Sequence, residues 1–404
     1  MVNLTARVPA IRAAAQVALE TFAAADTGPG DTTCPPGDAG PAILTAAMAS
    51  AHSVTPPAGI AERALVVWLR QLHQPSHPGL FGGGAAGRLL ALRIAATAWP
   101  RLADLAAAVR ARLCGYVAAR PWATVDVGWE DYDLVTGPAG ILLAFAADPA
   151  IGPSGRAPLS THLARLSVDD ELAGLRIGRY RDDALRGWNY GQINMGLAHG
   201  LPGVLTGLRA AADADVLSPQ LERVLRRLAS RLCAESSTDP RGVLTWPPGS
   251  RDVSPAARPA SRRQAWCYGC PGVAWALWEA GRVLRDQDMQ TLASQAAISF
   301  IGAYDDDFYL YATGDDRYGG ETLGICHGAA GLLVIFDSFA RHTDVPGAAA
   351  LRDHLAGYLG DRLDAVAALA RGDCSLQSGA CGVMAALLTA AGGDRRWLAA
   401  LGLR

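Results

Sequence analysis

A Gly-x-x-Gly signature followed by an alanine- and leucine-rich run recurs seven times in this chain. The copies are Gly37-Asp-Ala-Gly40, Gly84-Ala-Ala-Gly87, Gly137-Pro-Ala-Gly140, Gly200-Leu-Pro-Gly203, Gly269-Cys-Pro-Gly272, Gly328-Ala-Ala-Gly331 and Gly379-Ala-Cys-Gly382. Successive first glycines are 47, 53, 63, 69, 59 and 51 residues apart, which leaves room in each period for two helices and two loops. Self-similarity at this period denotes a supersecondary unit that buries its apolar face only against its neighbours, and so argues against several independent domains.

Two kinds of segment alternate. Ile141-Leu-Leu-Ala-Phe-Ala146 and Leu332-Leu-Val-Ile-Phe336, each just after a glycine pair, are apolar almost all round, as a buried helix must be. Stretches such as Leu217 to Leu232 carry apolar residues at helical spacing with Arg and Glu between them, so one face meets water. Seven hairpins of inner and outer helices closing on themselves give an all-α fold, an α/α toroid, with the glycine turns on one rim and residues 1–404 as one domain. An open solenoid is the competing arrangement, but no polar capping repeat marks either end. Met1 to Ala25, interrupted by Arg7, Arg12 and Glu20, reads as an amphipathic first helix and not as a signal peptide.

Register locates the chemistry. Cys267 and Cys326 fall two residues before the first glycine of their copies, and His199, Tyr268 and His327 fall one before. All five therefore sit where inner helices begin, where unpaired backbone N–H groups and the helix dipole favour thiolates and developing oxyanions. Two sulfurs and one imidazole form a soft ligand set suited to Zn²⁺, and three protein ligands leave a fourth position for water or substrate. A closed structural site is the alternative, with Cys270 as fourth ligand. Cys374 and Cys381, around the seventh copy, read as small core residues.

Composition narrows the function classes. All 36 basic residues are arginine, which excludes a Schiff-base lysine and a Walker A phosphate loop. A net charge of −2 gives no electrostatic case for nucleic acid, and no uncharged apolar run reaches the roughly 18 residues of a membrane span. Eight cysteines without a secretion signal point to a reducing, cytoplasmic compartment.

With these motifs in place, the sequence resembles the standalone class I lanthipeptide (lantibiotic) synthetase cyclases and their LanC-like relatives. The resemblance runs the length of the repeat and is sharpest in Ala198-His-Gly-Leu-Pro-Gly203, Trp266-Cys-Tyr-Gly-Cys-Pro-Gly272 and Cys326-His-Gly-Ala-Ala-Gly331. It implies Cys267, Cys326 and His327 as zinc ligands, His199 as catalytic acid/base and Asp133 as its partner, with Arg263 and Tyr268 at further active-site positions. The implied reaction is Michael-type addition of cysteine thiols to dehydroalanine or dehydrobutyrine in a dehydrated precursor peptide, giving lanthionine or methyllanthionine rings. A dehydratase and an exporter as partners, and membrane association through them, come from the resemblance alone. A small β insertion within residues 159–194 is likewise an expectation from the resemblance, and Arg176-Ile-Gly-Arg-Tyr-Arg181 is itself only a thin signal for strands.

The residue types suit that reaction. A free thiol is only a few per cent ionised at neutral pH, and coordination to zinc deprotonates it. Attack at the β-carbon leaves an enolate that needs positive charge and then a proton, which Arg263 and His199 are placed in the sequence to supply. Blander readings stand beside these. His199 satisfies a helix entry; Asp131 and Asp133 compete to cap the third inner helix; Arg263 is one more loop charge after Arg251, Arg258 and Arg262. The loop over 239–261 either lies in solvent or forms a lip over the site, and Asp305-Asp-Asp307 reads as a solvated loop. Two other functions fit the same residues: a LanC-like enzyme adding glutathione to dehydroamino acids, and a peptide-binding scaffold in which zinc only staples two repeats. Protein prenyltransferases share the barrel and the thiol chemistry but use another ligand pattern.

Overall fold

In a computed structural model of the chain, the described residues are 4–25, 34–50, 59–214, 217–251, 261–314, 316–317 and 319–404. In chain order the helices are α1 (Leu4–Ala25), α2 (Ala39–Ser50), α3 (Ile60–Gln71), α4 (Ala85–Ala95), α5 (Ala103–Ala119), α6 (Pro138–Ala146), α7 (Pro153–Leu166), α8 (Leu201–Ala214) and α9 (Pro219–Glu235). They continue as α10 (Cys270–Leu284), α11 (Gln287–Ala303), the short α12 (Asp306–Tyr309) and α13 (Gly320–Leu323), then α14 (Ala329–His342), α15 (Ala348–Gly360), α16 (Leu363–Leu369) and α17 (Ala380–Ala390). Among the described residues no helix is long and apolar enough to cross a membrane.

Helices α2, α4, α6, α8, α10, α14 and α17 each begin at one of the seven glycine pairs. They are the apolar ones: every residue of α6 from Pro138 to Phe145, and of α14 from Ala329 to Phe339, is buried. The alternate set, α1, α3, α5, α7, α9, α11 and α15, has one wet face. In α9 the buried residues Val224, Leu225, Leu228, Ala229 and Leu232 fall at helical spacing. Its start follows the usual rules, since Ser218 accepts a hydrogen bond from the Leu221 N–H and Pro219 takes the first helical position.

The second glycine of the motif has a steric cause. A β-carbon on Gly140, Gly203, Gly272, Gly331 or Gly382 would lie 2.0, 2.4, 2.0, 1.9 or 1.9 Å from the carbonyl oxygen six residues earlier. Each entry loop therefore folds back onto the first turn of its own helix, and only glycine leaves room for it. These loops are joined edge to edge by backbone hydrogen bonds. Leu80 N–H donates to Val135 O (2.9 Å), Leu134 to Ala198 (3.0 Å), Ala198 to Cys267 (3.4 Å), and both Ile325 and Cys326 to Gln377 (2.7 and 2.9 Å).

The chain forms two compact units, Met1–His77 with Phe81–Ala111 and Asp305–Arg404, and Pro78–Leu80 with Arg112–Tyr304. In the first, α17 packs against α1, α2 and α14, so the first and seventh repeats touch; in an open solenoid they would be its two ends. Asp38 fastens this junction. It is buried, and its Oδ1 accepts from Gly40 N (2.9 Å) and from Leu376 N (2.7 Å) of the last repeat. Burial pushes its carboxyl up to about 6, against the opposing effect of those N–H donors.

In the second unit α8 packs between α6 and α10, with α7, α9 and α11 outside them. Residues 159–194 hold the end of α7, two 3₁₀ turns (Ala173–Leu175 and Gly187–Asn189) and a single antiparallel bridge between Arg176 and Ile193. The two-stranded ladder lies later, pairing Ser237–Thr238 with Leu244–Thr245. The segment after it runs beside 193–195 through the Asn194–Gly249 bridge and the bond from Met195 N to Pro248 O (3.0 Å). Residues 252–260, within the expected lip, lie outside the described residues.

Candidate active site

Three of the glycine-turn loops of the second unit carry the polar residues of interest. In the loop before α6, the Asp133 carboxylate is fully buried. Its Oδ1 accepts from the backbone N–H groups of Thr136 (2.8 Å) and Gly137 (2.7 Å) and from the Thr136 hydroxyl (3.3 Å), closing the entry turn of α6. Its Oδ2 lies 2.6 Å from Nδ1 of His199, whose side chain retains 25% of its exposure against 1% for the aspartate. An acceptor-only carboxylate so placed puts the proton on Nδ1 and leaves Nε2 as the exchangeable nitrogen. Asp131 does other work. It is also buried, and its oxygens take the N–H groups of Ala123 (3.1 Å) and Gly128 (2.9 Å) and the Arg179 guanidinium (3.2 Å). The two aspartates thus divide the capping, and only Asp133 faces the imidazole.

Around this pair lie groups that sequence reasoning missed. The Trp129 indole stacks on the His199 ring, centroids 4.3 Å apart and planes 18° from parallel. Trp129 Nε1 donates to Asn189 Oδ1 (2.9 Å), the same oxygen accepts from Asn194 Nδ2 (2.9 Å), and that nitrogen also donates to the Tyr268 hydroxyl (2.9 Å). Behind Trp129, the Tyr180 hydroxyl accepts from its backbone N–H (2.9 Å) and donates to Glu130, which also pairs with Arg179. Partial burial would raise Glu130, but the donors Tyr180 and Arg179 outweigh it and hold the carboxyl below its ordinary range. The one local signal for this network was the aromatic and acidic cluster Gly128-Trp-Glu-Asp-Tyr-Asp133; the asparagines lie some 60 residues away.

The loop before α10 is a tight turn. Ala265 N–H donates to Tyr268 O (2.8 Å), Cys270 N–H donates to Gln264 Oε1 (2.6 Å), and Gly269 has φ +80°, a value that favours glycine. Tyr268 packs so closely on Gly196 that a β-carbon there would sit 2.4 Å from its ring. Arg263 is half-buried while Arg262 is exposed. With Trp188, Trp246, Pro248, Ser261, Tyr268 and Gly269 it lines a cavity of about 260 Å³, so Trp246 and Pro248 of the expected lip do border this space.

The Sγ atoms of Cys267 and Cys326 and a ring nitrogen of His327 lie within 4.8 Å of one another, a group able to hold a metal ion. Cys267 is buried and the other two are half-buried. Cys270 is not in this group. Its thiol is fully buried, donates to the carbonyl of Ala296 on α11 (3.2 Å), and is pushed up by that burial and secondarily by Asp239. Cys374 and Cys381 are buried in the core as read from sequence.

No curated protein matches the chain. Among solved structures it is similar to nisin cyclase, with a TM-score of 0.75 and 20% identity over 95% of this chain and 96% of that one. The likeness shows the fold, an all-α α/α toroid. A family model for the lanthionine synthetase C-like protein matches residues 29–401 of the 404, so the chain belongs to the lanthionine synthetase C-like family.

Proposed function

We propose that the chain is a zinc-dependent lanthipeptide cyclase, which closes thioether rings by adding cysteine thiols to dehydroalanine or dehydrobutyrine of a dehydrated precursor peptide. The observation that carries this reading is the group Cys267, Cys326 and His327, with three donors and no fourth protein ligand among the described residues. With Zn–S about 2.3 Å and Zn–N about 2.0 Å, tetrahedral ligands stand roughly 3.6–3.8 Å apart. A spacing of at most 4.8 Å is within about 1 Å of that, and the soft donor set fits the ion. Zinc bound there would deprotonate an incoming thiol and present it as an electron-rich sulfur.

The remaining work belongs to the chain. Sulfur attack on the β-carbon moves an electron pair onto the substrate's carbonyl oxygen, and the resulting enolate takes a proton at Cα. His199 Nε2 delivers that proton, because Nδ1 is committed to Asp133 and the imidazolium is supported by a buried carboxylate. Arg263, on the wall of the cavity beside Tyr268, stabilises the enolate oxygen, and Tyr268 is oriented by its bond from Asn194. Deprotonation at sulfur and protonation at carbon are thereby handled by separate groups.

The test is to incubate the zinc-loaded protein with a dehydrated cysteine-containing precursor and no other thiol, then count free thiols by alkylation, since ring closure leaves mass unchanged. Loss of thiols supports cyclisation. Unchanged thiols, with adduct formation only when glutathione is added, support the intermolecular reading instead. Binding without either reaction, unaffected by replacing His199, is the outcome expected of a scaffold.

A further inference from the structure

We infer that Trp129 is a positioning residue for the Asp133–His199 pair, an inference that rests on the cyclase reading for its kinetic part only. Trp129 touches both members of the pair. Its ring covers one face of the His199 imidazole at 4.3 Å and 18°, and its carbonyl accepts the N–H of Asp133 (2.8 Å). Trp129 is itself fixed at two points, through its backbone N–H to the Tyr180 hydroxyl and through its indole N–H to Asn189 Oδ1.

The geometry explains why a wide planar ring is needed. A histidine hydrogen-bonded only through Nδ1 still swings about that bond, carrying Nε2 through an arc. A stacked indole of fixed orientation removes that freedom, and its π-face favours the imidazolium that the proton-donating step requires. Because the same Asn189 oxygen accepts from Asn194, which in turn holds Tyr268, the indole plane, His199 and Tyr268 share one hydrogen-bonded frame. A shift of about 1 Å in a positioned group costs as much as 10²-fold in rate, so loss of this frame should lower kcat and leave KM nearly unchanged.

Three variants test this: Trp129→Leu, which keeps a smaller apolar side chain without a plane; Trp129→Phe, which keeps a smaller plane without the N–H; and Asn189→Ala, which frees the indole. The first readout needs no turnover. Long-range ¹H–¹⁵N spectra of the histidine rings, with His199 assigned from a His199→Asn sample, report tautomer and ring exchange in the resting protein. We expect one Nδ1-protonated form in the parent, averaged signals in Trp129→Leu and Asn189→Ala, and partial averaging in Trp129→Phe, which keeps a plane but not the anchoring N–H. In thiol-loss assays kcat should fall roughly tenfold or more in Trp129→Leu, with Trp129→Phe between it and the parent. Should Trp129→Leu not fold, Asn189→Ala carries the spectroscopic test. Parent-like ring signals in folded Trp129→Leu, or in Asn189→Ala where that alone folds, overturn the inference, whether or not the protein proves to be a cyclase.

Discussion

Replacing Asp133 by Asn separates the charge of the carboxylate from its shape. In the parent, Oδ1 closes the α6 entry turn with Thr136 and Gly137, and Oδ2 faces His199 Nδ1 at 2.6 Å. The asparagine oxygen retains the first set, so the turn survives and thermal stability should change by only a few degrees. Its NH₂ group then points at Nδ1, which must become an acceptor, and the imidazolium loses its anion. A hydrogen bond to a charged partner contributes about 1.5–3 kcal/mol, and this one is buried on the aspartate side and little screened. At about 1.4 kcal/mol per decade, kcat should fall roughly 10- to 150-fold with KM little changed. The assay is the initial rate of thiol loss in a dehydrated precursor, with deuterium incorporation at Cα from D₂O as a second measure. His199→Asn should add almost nothing on top of Asp133→Asn, since the two act as a unit. A folded Asp133→Asn protein within twofold of the parent rate would refute the reasoning.

Other expectations test the frame and the sulfur assignments. Gly331→Ala would place a β-carbon 1.9 Å from the Ile325 oxygen and should destabilise by several kcal/mol, whereas Gly115→Ala in α5, with nothing within 4 Å of the new carbon, should be neutral or stabilise by about 0.5 kcal/mol; thermal melts of both decide it. Asp38 has a folded-state carboxyl raised to about 6 from 3.8, so the folded chain holds more protons than the unfolded one between these values, and its contribution, full below about pH 4, is lost as pH rises through 6. The Asp38→Asn protein should therefore lose less stability than the parent over that window in denaturant titrations, and parallel curves would contradict the assignment. Cys270→Ser keeps a donor for Ala296 and should leave zinc stoichiometry and affinity unchanged; a tenfold weaker site would make Cys270 a ligand.

The architecture was readable because it is periodic. Seven glycine pairs announce seven buried helices, and the carbonyl that abuts the second glycine in five of them explains why the signature persists there while the helices around it vary. The same register groups Cys267, Cys326 and His327 in the sequence, since equivalent positions of a repeat sit at equivalent helix entries. Pairing along the chain was less informative. Nothing local distinguished Asp133 from Asp131, although the first closes the α6 entry turn and faces His199 while the second takes Ala123, Gly128 and Arg179, and Arg263 could not be told from Arg262, of which only the first is half-buried in a cavity wall. The Trp129–Asn189–Asn194–Tyr268 chain follows no period at all. It joins four side chains from three loops, and a hydrogen-bonded network leaves no spacing signature. The ladder at 237–245 was likewise silent, because two-residue strands are too short to show alternation.

The most direct test of the central claim is zinc K-edge absorption on the metal-loaded protein, recorded before and after addition of a thiol. The account predicts one zinc per chain with two sulfurs near 2.3 Å and nitrogen or oxygen near 2.0 Å, changing to three sulfurs when thiol is present. Three sulfurs before any thiol is added, or a coordination sphere that thiol does not alter, would contradict it.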